Sequence, residues 1–317
     1  MQDNLAPIVL FVYARPEHTR KTLEALENNI LADQSLLFIY ADGLKVNANE
    51  EQGKNFQATR ALIRKKWRFK EVCIIEREKN WGLADNIVDG VTQIVNRYGK
   101  VIVLEDDVVP ATGFLQYMND ALNFYENEEK VMHISAYIFP VNKVLPTTFF
   151  YNTATCWGWG TWQRAWCYFE PSAAKLAQII AEKGLIHQFN VQGGYNFYGD
   201  LLANANQQMK TWSVRWYASF FLQQGFALHP YPSLVNNIGH DGTGENSSNV
   251  GIFLWKKLAQ EIKIEPIEIK ESQKAIDLII KFHNPGKSFK DYSKQILKFL
   301  LPKFIIQQLK ALKINFK

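Results

Sequence analysis

Residues 101–110 read VIVLEDDVVP. Val101, Ile102, Val103 and Leu104 are apolar without alternation. They run directly into Glu105, Asp106 and Asp107 before Pro110 closes the stretch. A run apolar on both faces belongs inside a parallel sheet with helices covering both sides. In open α/β sheets ligands bind beyond the carboxyl ends of the strands, so this segment delivers three adjacent carboxylates into a cleft. Neighbouring carboxylates repel one another unless a cation or hydrogen-bond donors offset them. The triplet is either a charged strand end facing water or a divalent-cation site, and the rest of the chain favours the second.

The segments around it repeat one pattern. Residues 7–14 (PIVLFVYA), 36–41 (LLFIYA) and 71–76 (EVCIIE) read as further strands. Pro16 suits the first turn of a helix with Thr22, Leu23, Leu26 and Ile30 on its core side. Residues 49–67 predict a charged, mostly solvated helix. Leu83, Ile87, Val91, Ile94 and Val95 recur at helical spacing over 82–98, and 114–125 is helical again. Alternating strands and helices predict an α/β fold, Rossmann-like, with a mostly parallel sheet flanked by helices. We expect residues 1–135 to form a Rossmann-like half, 136–260 an aromatic-rich half of the same domain, and 261–317 a C-terminal extension. Residues 261–270 alternate, but Pro266 limits them to an edge strand or a loop.

Composition narrows the classes. The 317 residues carry a formal charge of +5, and residues 291–317 alone hold six Lys against one Asp. The other residues are therefore neutral overall, which argues against a nucleic-acid surface. Cys73, Cys156 and Cys167 are odd in number and lack zinc-ligand spacing, so free thiols in a reducing compartment are expected. No secretory leader and no run of spanning length is visible, which predicts a cytoplasmic protein. The tail 291–317 (DYSKQILKFLLPKFIIQQLKALKINFK) is amphipathic and lysine-rich. It suits the inner face of a membrane, or packing on its own body or a second subunit.

Polar residues follow each strand: Arg15 the first, Asp42 the second, Arg77 and Asn80 the third, the triplet the fourth. A parallel sheet forces these ends together. Neither GxGxxG nor GxxxxGK[ST] is present, so bound phosphates are not gripped by a glycine-rich loop, and a metal on acidic residues is the alternative.

Taken together, ARPEHTRKTLEAL, LFIYADG, EKNWGLADNIVDGV, VIVLEDDVVP and CWGWGTWQRAW resemble nucleotide-sugar-dependent glycosyltransferases of the GT-A fold. The likeness is to bacterial family 2-like sugar transferases of surface polysaccharide loci. It extends to the N-acetylglucosaminyltransferase I group, whose metal motif is also Glu-Asp-Asp, and covers residues 7–249. The resemblance implies a UDP-sugar donor, Mn²⁺ or Mg²⁺, a glycan or lipid-linked acceptor, and inversion at the anomeric carbon. It implies that Asp42 contacts the base, that Arg15 frames the nucleotide, and that Asn80, Gly82, Leu83 and Asn86 border base and ribose. It also implies that Glu105 reaches the donor sugar, Asp106 the ribose or sugar hydroxyls, and Asp107 the metal, with His240 as a second metal or diphosphate ligand.

An inverting transfer needs a general base on the acceptor hydroxyl. The acidic position of the related group falls on Ser213 and Val214 here, which leaves Asp200, Glu170 and Asp241 as candidates. Trp157, Trp159, Trp162 and Trp166 crowd a glycine-spaced segment. They serve either a packed core or sugar stacking, and Trp157 and Trp159 are the ones expected beside the sugars. Two rival readings are a sugar-phosphate nucleotidyltransferase, which normally has a glycine-rich basic loop after the first strand, and a non-catalytic carbohydrate-binding protein. An oligomer is compatible with all three.

Overall fold

A computed structural model describes residues 4–241 and 251–284. In chain order it contains β1 (Ile8–Val12), α1 (Pro16–Glu27), β2 (Leu36–Ala41), α2 (Glu50–Ile63), β3 (Glu71–Glu76), α3 (Leu83–Tyr98) and β4 (Lys100–Glu105). There follow β5 (Val108–Pro110), α4 (Phe114–Phe124), β6 (Val131–Ser135), β7 (Thr148–Tyr151), β8 (Trp159–Trp162) and α5 (Gln163–Trp166). The remainder comprises α6 (Ala173–Glu182), α7 (Ile186–Phe189), α8 (Phe197–Ala205), α9 (Ser213–Leu222), β9 (Phe226–Pro230), β10 (Val235–Asn237) and α10 (Gln273–His283).

Eight strands form one sheet in the order β3-β2-β1-β4-β8-β6-β9-β7. β3, β2, β1 and β4 are mutually parallel, β8 runs against β4 and β6, β9 is parallel to β6, and β7 is antiparallel to β9. The mostly parallel α/β sheet is the class expected from the alternating pattern, and it crosses from the first expected half into the second without a break.

Period-two geometry explains the unbroken apolar runs. Ile8, Leu10 and Val12 of β1 and Ile102 and Leu104 of β4 pack into one layer with Leu23, Leu26, Phe114 and Met118. Val9, Phe11, Val101 and Val103 face the other layer, with Ile87, Val91, Trp159 and Trp216. Both faces are dry, so charged residues sit only at the ends of these strands, Lys100 at the start of β4 and Glu105 at its finish. The register pairs Phe11 with Glu105 and Val12 with Ala41, which brings the polar residues after β1, β2 and β4 to one edge.

Some elements differ from expectation. The second helix begins at its Asn49–Gln52 capping box and stops at Ile63. Ile30 lies past the end of α1 and is exposed. Residues 261–270 take the loop form, one of the two expected; Ile262 is buried, and Ile264, Ile267 and Ile269 pack against the core. The amphipathic segment 291–317 lies outside the described residues. Among the described residues no helix is long and apolar enough to cross a membrane.

Candidate active site

The turn after β2 is built on Asp42. One of its carboxylate oxygens accepts the backbone N–H of Gly43 and of Trp81, both at 2.8 Å. The other accepts the N–H of Gly82 at 2.9 Å and the Asn80 amide at 3.0 Å. Asn80 also donates to the Gly43 carbonyl at 2.8 Å. Arg60, buried on α2, donates to the carbonyls of Asp42 (3.1 Å) and Arg77 (3.0 Å). The Asp42 carboxylate is thus committed to holding the loop that leads into α3.

Gly82 and Leu83 sit at the start of α3, with Leu83 exposed at the rim. Asn86 is buried and accepts from Arg77 Nε at 3.1 Å, so in this structure it supports Arg77. The Arg77 guanidinium lies 4.0 Å from the ring centre of Trp81, an indole 41% exposed at the same rim. Sequence reading passed over Arg60 and Trp81. An arginine in a charged helix and a tryptophan in a turn give no periodic signal of inward or rimward placement.

The triplet straddles the end of β4: Glu105 is its last residue, and Asp106 and Asp107 form the turn into β5. Asp106 accepts the Tyr13 backbone N–H at 3.3 Å, and its own carbonyl takes the Thr22 hydroxyl at 2.8 Å. Arg15 caps the start of α1 and reaches Asp107 at 2.7 Å, Asp106 at 3.5 Å and Asp241 at 3.7 Å. His18 Nε2 stands 3.1 Å from Asp241. Antiparallel pairing of β5 with β10 folds residues 237–241 back over the triplet, and the Ile238 N–H donates to the Asp107 carbonyl at 2.9 Å. A Cβ at Gly239 would lie 2.0 Å from Asp107 Oδ2 and 3.1 Å from Arg15 Nη2, so any side chain there would displace the Asp107 carboxylate.

Burial, then repulsion from their acidic neighbours, raises the pKa of Glu105 and of Asp106, although Arg15 pulls both back. The Trp212 side chain also hydrogen-bonds Glu105 and favours its charged form. The site therefore keeps unmet capacity for positive charge. Among the described residues no three His, Cys, Asp or Glu side chains form a ready-made metal cage. A hard cation shared with a diphosphate does not require one, because one or two carboxylates suffice when phosphate and water oxygens complete the shell. Asp107 and Asp106 are hard oxygen donors at the rim and fit that arrangement.

His240 does not join them. Its ring packs edge-on to Trp157 at 5.1 Å and against Phe253 at 4.9 Å, which turns it into an aromatic pocket. Trp157 lines the same pocket and is partly buried. Trp159 is 1% exposed, stacked between His133 (5.3 Å) and Trp212 (5.0 Å); it is core, and no face is open to a sugar.

Of the candidate bases, Glu170 is spent on the start of α6, accepting from Ser172 N at 2.9 Å and from Lys175 at 2.5 Å. Asp241 belongs to the Arg15–His18 ion-pair group. Asp200, in the first turn of α8, is half-buried, and that burial raises its pKa; the Tyr195 hydroxyl bonds to it and opposes the rise. Tyr195 lines the aromatic pocket.

No family model matches the chain, and no curated protein matches it. Among solved structures it is similar to TarS of S. aureus, at 12% identity and TM-score 0.29. That match covers 44% of this chain and 23% of TarS, so the chain spans less than a quarter of that protein. It is similar to PcManGT, a mannosyltransferase of Pyrobaculum calidifontis solved with GDP-Man and Mn²⁺, at 10% identity over 69% of each chain, TM-score 0.38. It is also similar to a UDP-glucose pyrophosphorylase complexed with UDP-glucose, at 9% identity over 71% of this chain and 90% of the other, TM-score 0.35.

Proposed function

We infer that the chain is a glycosyltransferase on a GT-A-type α/β fold, moving a sugar from a nucleoside-diphosphate sugar, foremost a UDP-sugar, to a glycan or lipid-linked acceptor. One observation carries the reading: a rigid polar turn at the ends of β2 and β3 and an acidic triplet at the end of β4 share one sheet edge. We place the nucleoside and diphosphate along that edge in the same order, base toward residues 80–83 and Trp81, phosphates toward Arg15, Asp106 and Asp107.

A bound Mn²⁺ or Mg²⁺ supplies Lewis-acid compensation for the charge that grows on the departing diphosphate, worth several kcal/mol. The chain's own part is positional. Asp107 and Asp106 would hold the cation, and Arg15, already the counter-charge of both, stands within reach of phosphate oxygens. Glu105, hydrogen-bonded by the Trp212 side chain, is the acid we assign to a hydroxyl of the donor sugar. Asp200 is the acid we assign to accepting the acceptor's proton, because burial shifts its pKa toward working pH. The turn after β1 runs Tyr13-Ala14-Arg15 without glycine, unlike the phosphate loop expected of a nucleotidyltransferase.

Isothermal titration of UDP, GDP and ADP with Mn²⁺ tests the reading. UDP binding that weakens at least tenfold in a folded Asp107→Asn protein supports it. A protein that binds glycans and no nucleotide is a carbohydrate-binding module, and the transferase reading is then lost.

A further inference from the structure

The eight-stranded sheet ends on β3 at one edge and on β7 at the other, and the two edges are finished differently. At the β7 edge Phe150 bridges to Glu271 and accepts the Ser272 N–H at 2.9 Å. Ala275, Ile276 and Ile279 of α10 cluster there with Phe149 and Tyr151. At the β3 edge, β2 is the only strand partner among the described residues. Lysine, proline and bulges are the usual devices that blunt an exposed edge. Residues 71–76 contain no Lys and no Pro, and their register with β2 is unbroken. The two charges of the strand, Glu71 and Glu76, stand at its ends.

The middle of β3 is apolar on both faces. Val72 and Ile74 pack on one core layer, Cys73 and Ile75 on the other, yet all four are only half-buried. β4 has the same kind of apolar run, lies between β1 and β8, and is buried from Lys100 to Leu104. What β3 lacks by comparison is a neighbour on its outer side.

The chain flanking this strand is charged in opposite senses. Arg64, Lys65, Lys66, Arg68 and Lys70 precede it, all exposed, and Glu76 and the exposed Glu78 follow its apolar middle. Arg77, between those two acids, is turned back onto Asp89 and Trp81. A strand that is basic before and acidic after an apolar centre complements itself when reversed. A two-fold axis normal to the sheet keeps each face on its own side, so even-numbered residues meet even-numbered ones. Centred on Cys73, such pairing sets Val72 opposite Ile74, Lys70 opposite Glu76 and Arg68 opposite Glu78. Lys70 then joins the group that Glu76 already forms with Arg60 and Arg64. Opposite charges and β-branched pairs directly across an antiparallel ladder stabilise it. An axis at Ile74 would instead set Val72 against the Glu76 carboxylate.

We propose that β3 is the interface of a homodimer: β3 of a second copy of this chain adds antiparallel to it, in the register centred on Cys73, and continues the sheet across both molecules. The proposal goes beyond the transferase reading and does not rest on it, because no residue of the pairing is assigned to the donor, the metal or the proton. The paired strands run in opposite directions, so the two acidic triplets lie at opposite ends of the shared sheet.

The test uses the full chain. Sedimentation velocity over a concentration series gives the oligomeric state, and amide hydrogen exchange in dilute and concentrated samples locates the segment that becomes protected. We expect a monomer–dimer equilibrium in which amides of residues 71–76 exchange more slowly in the concentrated sample. Lys70→Glu sets a carboxylate opposite Glu76 and should raise the dimer dissociation constant by about tenfold or more, whereas Lys70→Arg should leave it nearly unchanged. If Lys70→Glu fails to fold, concentration-dependent protection of 71–76 in the unaltered chain decides the question. A monomer at every concentration overturns the proposal; constant protection of 71–76 in that monomer marks cover by another segment of the same chain, such as 291–317. A dimer whose protection falls outside 71–76, or one indifferent to Lys70→Glu, overturns it as well.

Discussion

Arg15 and Asp107, ninety-two positions apart in sequence, meet at 2.7 Å, and each is at least four-fifths buried at the side chain. The contact ties the start of α1 to the end of β4, and Gly239 closes over it from a third segment. A cation that is part of the chain thus offsets part of the triplet's charge.

Arg15→Gln removes that compensation while leaving Asp106 and Asp107 in place. Loss of one partner from a largely buried ion pair costs about 3 kcal/mol. Urea denaturation should show that loss, and a second change, Asp106→Asn, should recover part of it. Added Mn²⁺ should raise the melting temperature of the Arg15→Gln protein more than that of the parent. Equal stability of parent and variant would show that the ion pair contributes nothing to the fold.

Both oxygens of Asp42 accept hydrogen bonds, so its role depends on acceptor count as well as charge. Asp42→Asn necessarily turns an NH₂ group toward two donors, and Asp42→Ala leaves three backbone N–H groups short of a partner. Each unsatisfied buried donor costs about 1–3 kcal/mol. Both variants should unfold at lower denaturant, and nucleotide affinity should fall with them. An Asn variant as stable as the parent contradicts this account of the turn.

Gly43→Ala checks the same turn from the backbone side. A Cβ at that position would lie 2.2 Å from the Lys79 carbonyl carbon and 2.6 Å from the Asn80 nitrogen. Neither atom can rotate away, so the ends of β2 and β3 must part. Overpacking of this kind costs about 1–3 kcal/mol. Calorimetry should report a lower melting temperature, whereas an unchanged one would mean that the turn is loose in solution.

His133 is buried at the junction of β6 and the tryptophan cluster. Its Nδ1 accepts from Trp216 Nε1 at 3.1 Å, so its Nε2 carries the proton toward the Thr155 carbonyl at 3.2 Å. Burial, then the neighbouring His229, lowers its pKa to about 3. The unfolded chain takes up a proton near pH 6.5 that the folded chain refuses. Stability should therefore be full above that pH and fall as pH drops toward 3, by about 1.4 kcal/mol per unit for this group. His229, lowered to about 4 by burial, adds in the same direction. Replacing His133 by Gln should flatten part of that slope in pH-dependent urea titrations.

Trp159→Ala opens a cavity in a fully buried aromatic stack and should cost about 3–5 kcal/mol. Trp159→Phe should keep both stability within about 1.5 kcal/mol and nucleotide binding. Selective loss of sugar binding in a stable Phe variant would return Trp159 to the site.

The sequence alone determined the first four strands of the sheet, β1 to β4, their parallel arrangement and the delivery of Glu105, Asp106 and Asp107 to the sheet edge. Those features follow from local facts: unbroken apolar runs bury both faces, and the first polar residue after each run must emerge at an end. Polar rim residues such as Arg15 and Asn80 were legible for the same reason. Periodicity reports that a residue is buried or exposed, but it does not say which distant segment covers it. Asp42 and Asn86 turned inward to hold a loop, His240 turned away from the carboxylates into an aromatic pocket, and Trp159 became core while Trp157 stayed at the cavity. Tertiary structure decided these because each depends on a return of the chain, β10 onto β5 and α10 onto the second half of the sheet. A single sequence leaves no trace of such long-range pairing, and so only the folded chain shows what surrounds the triplet.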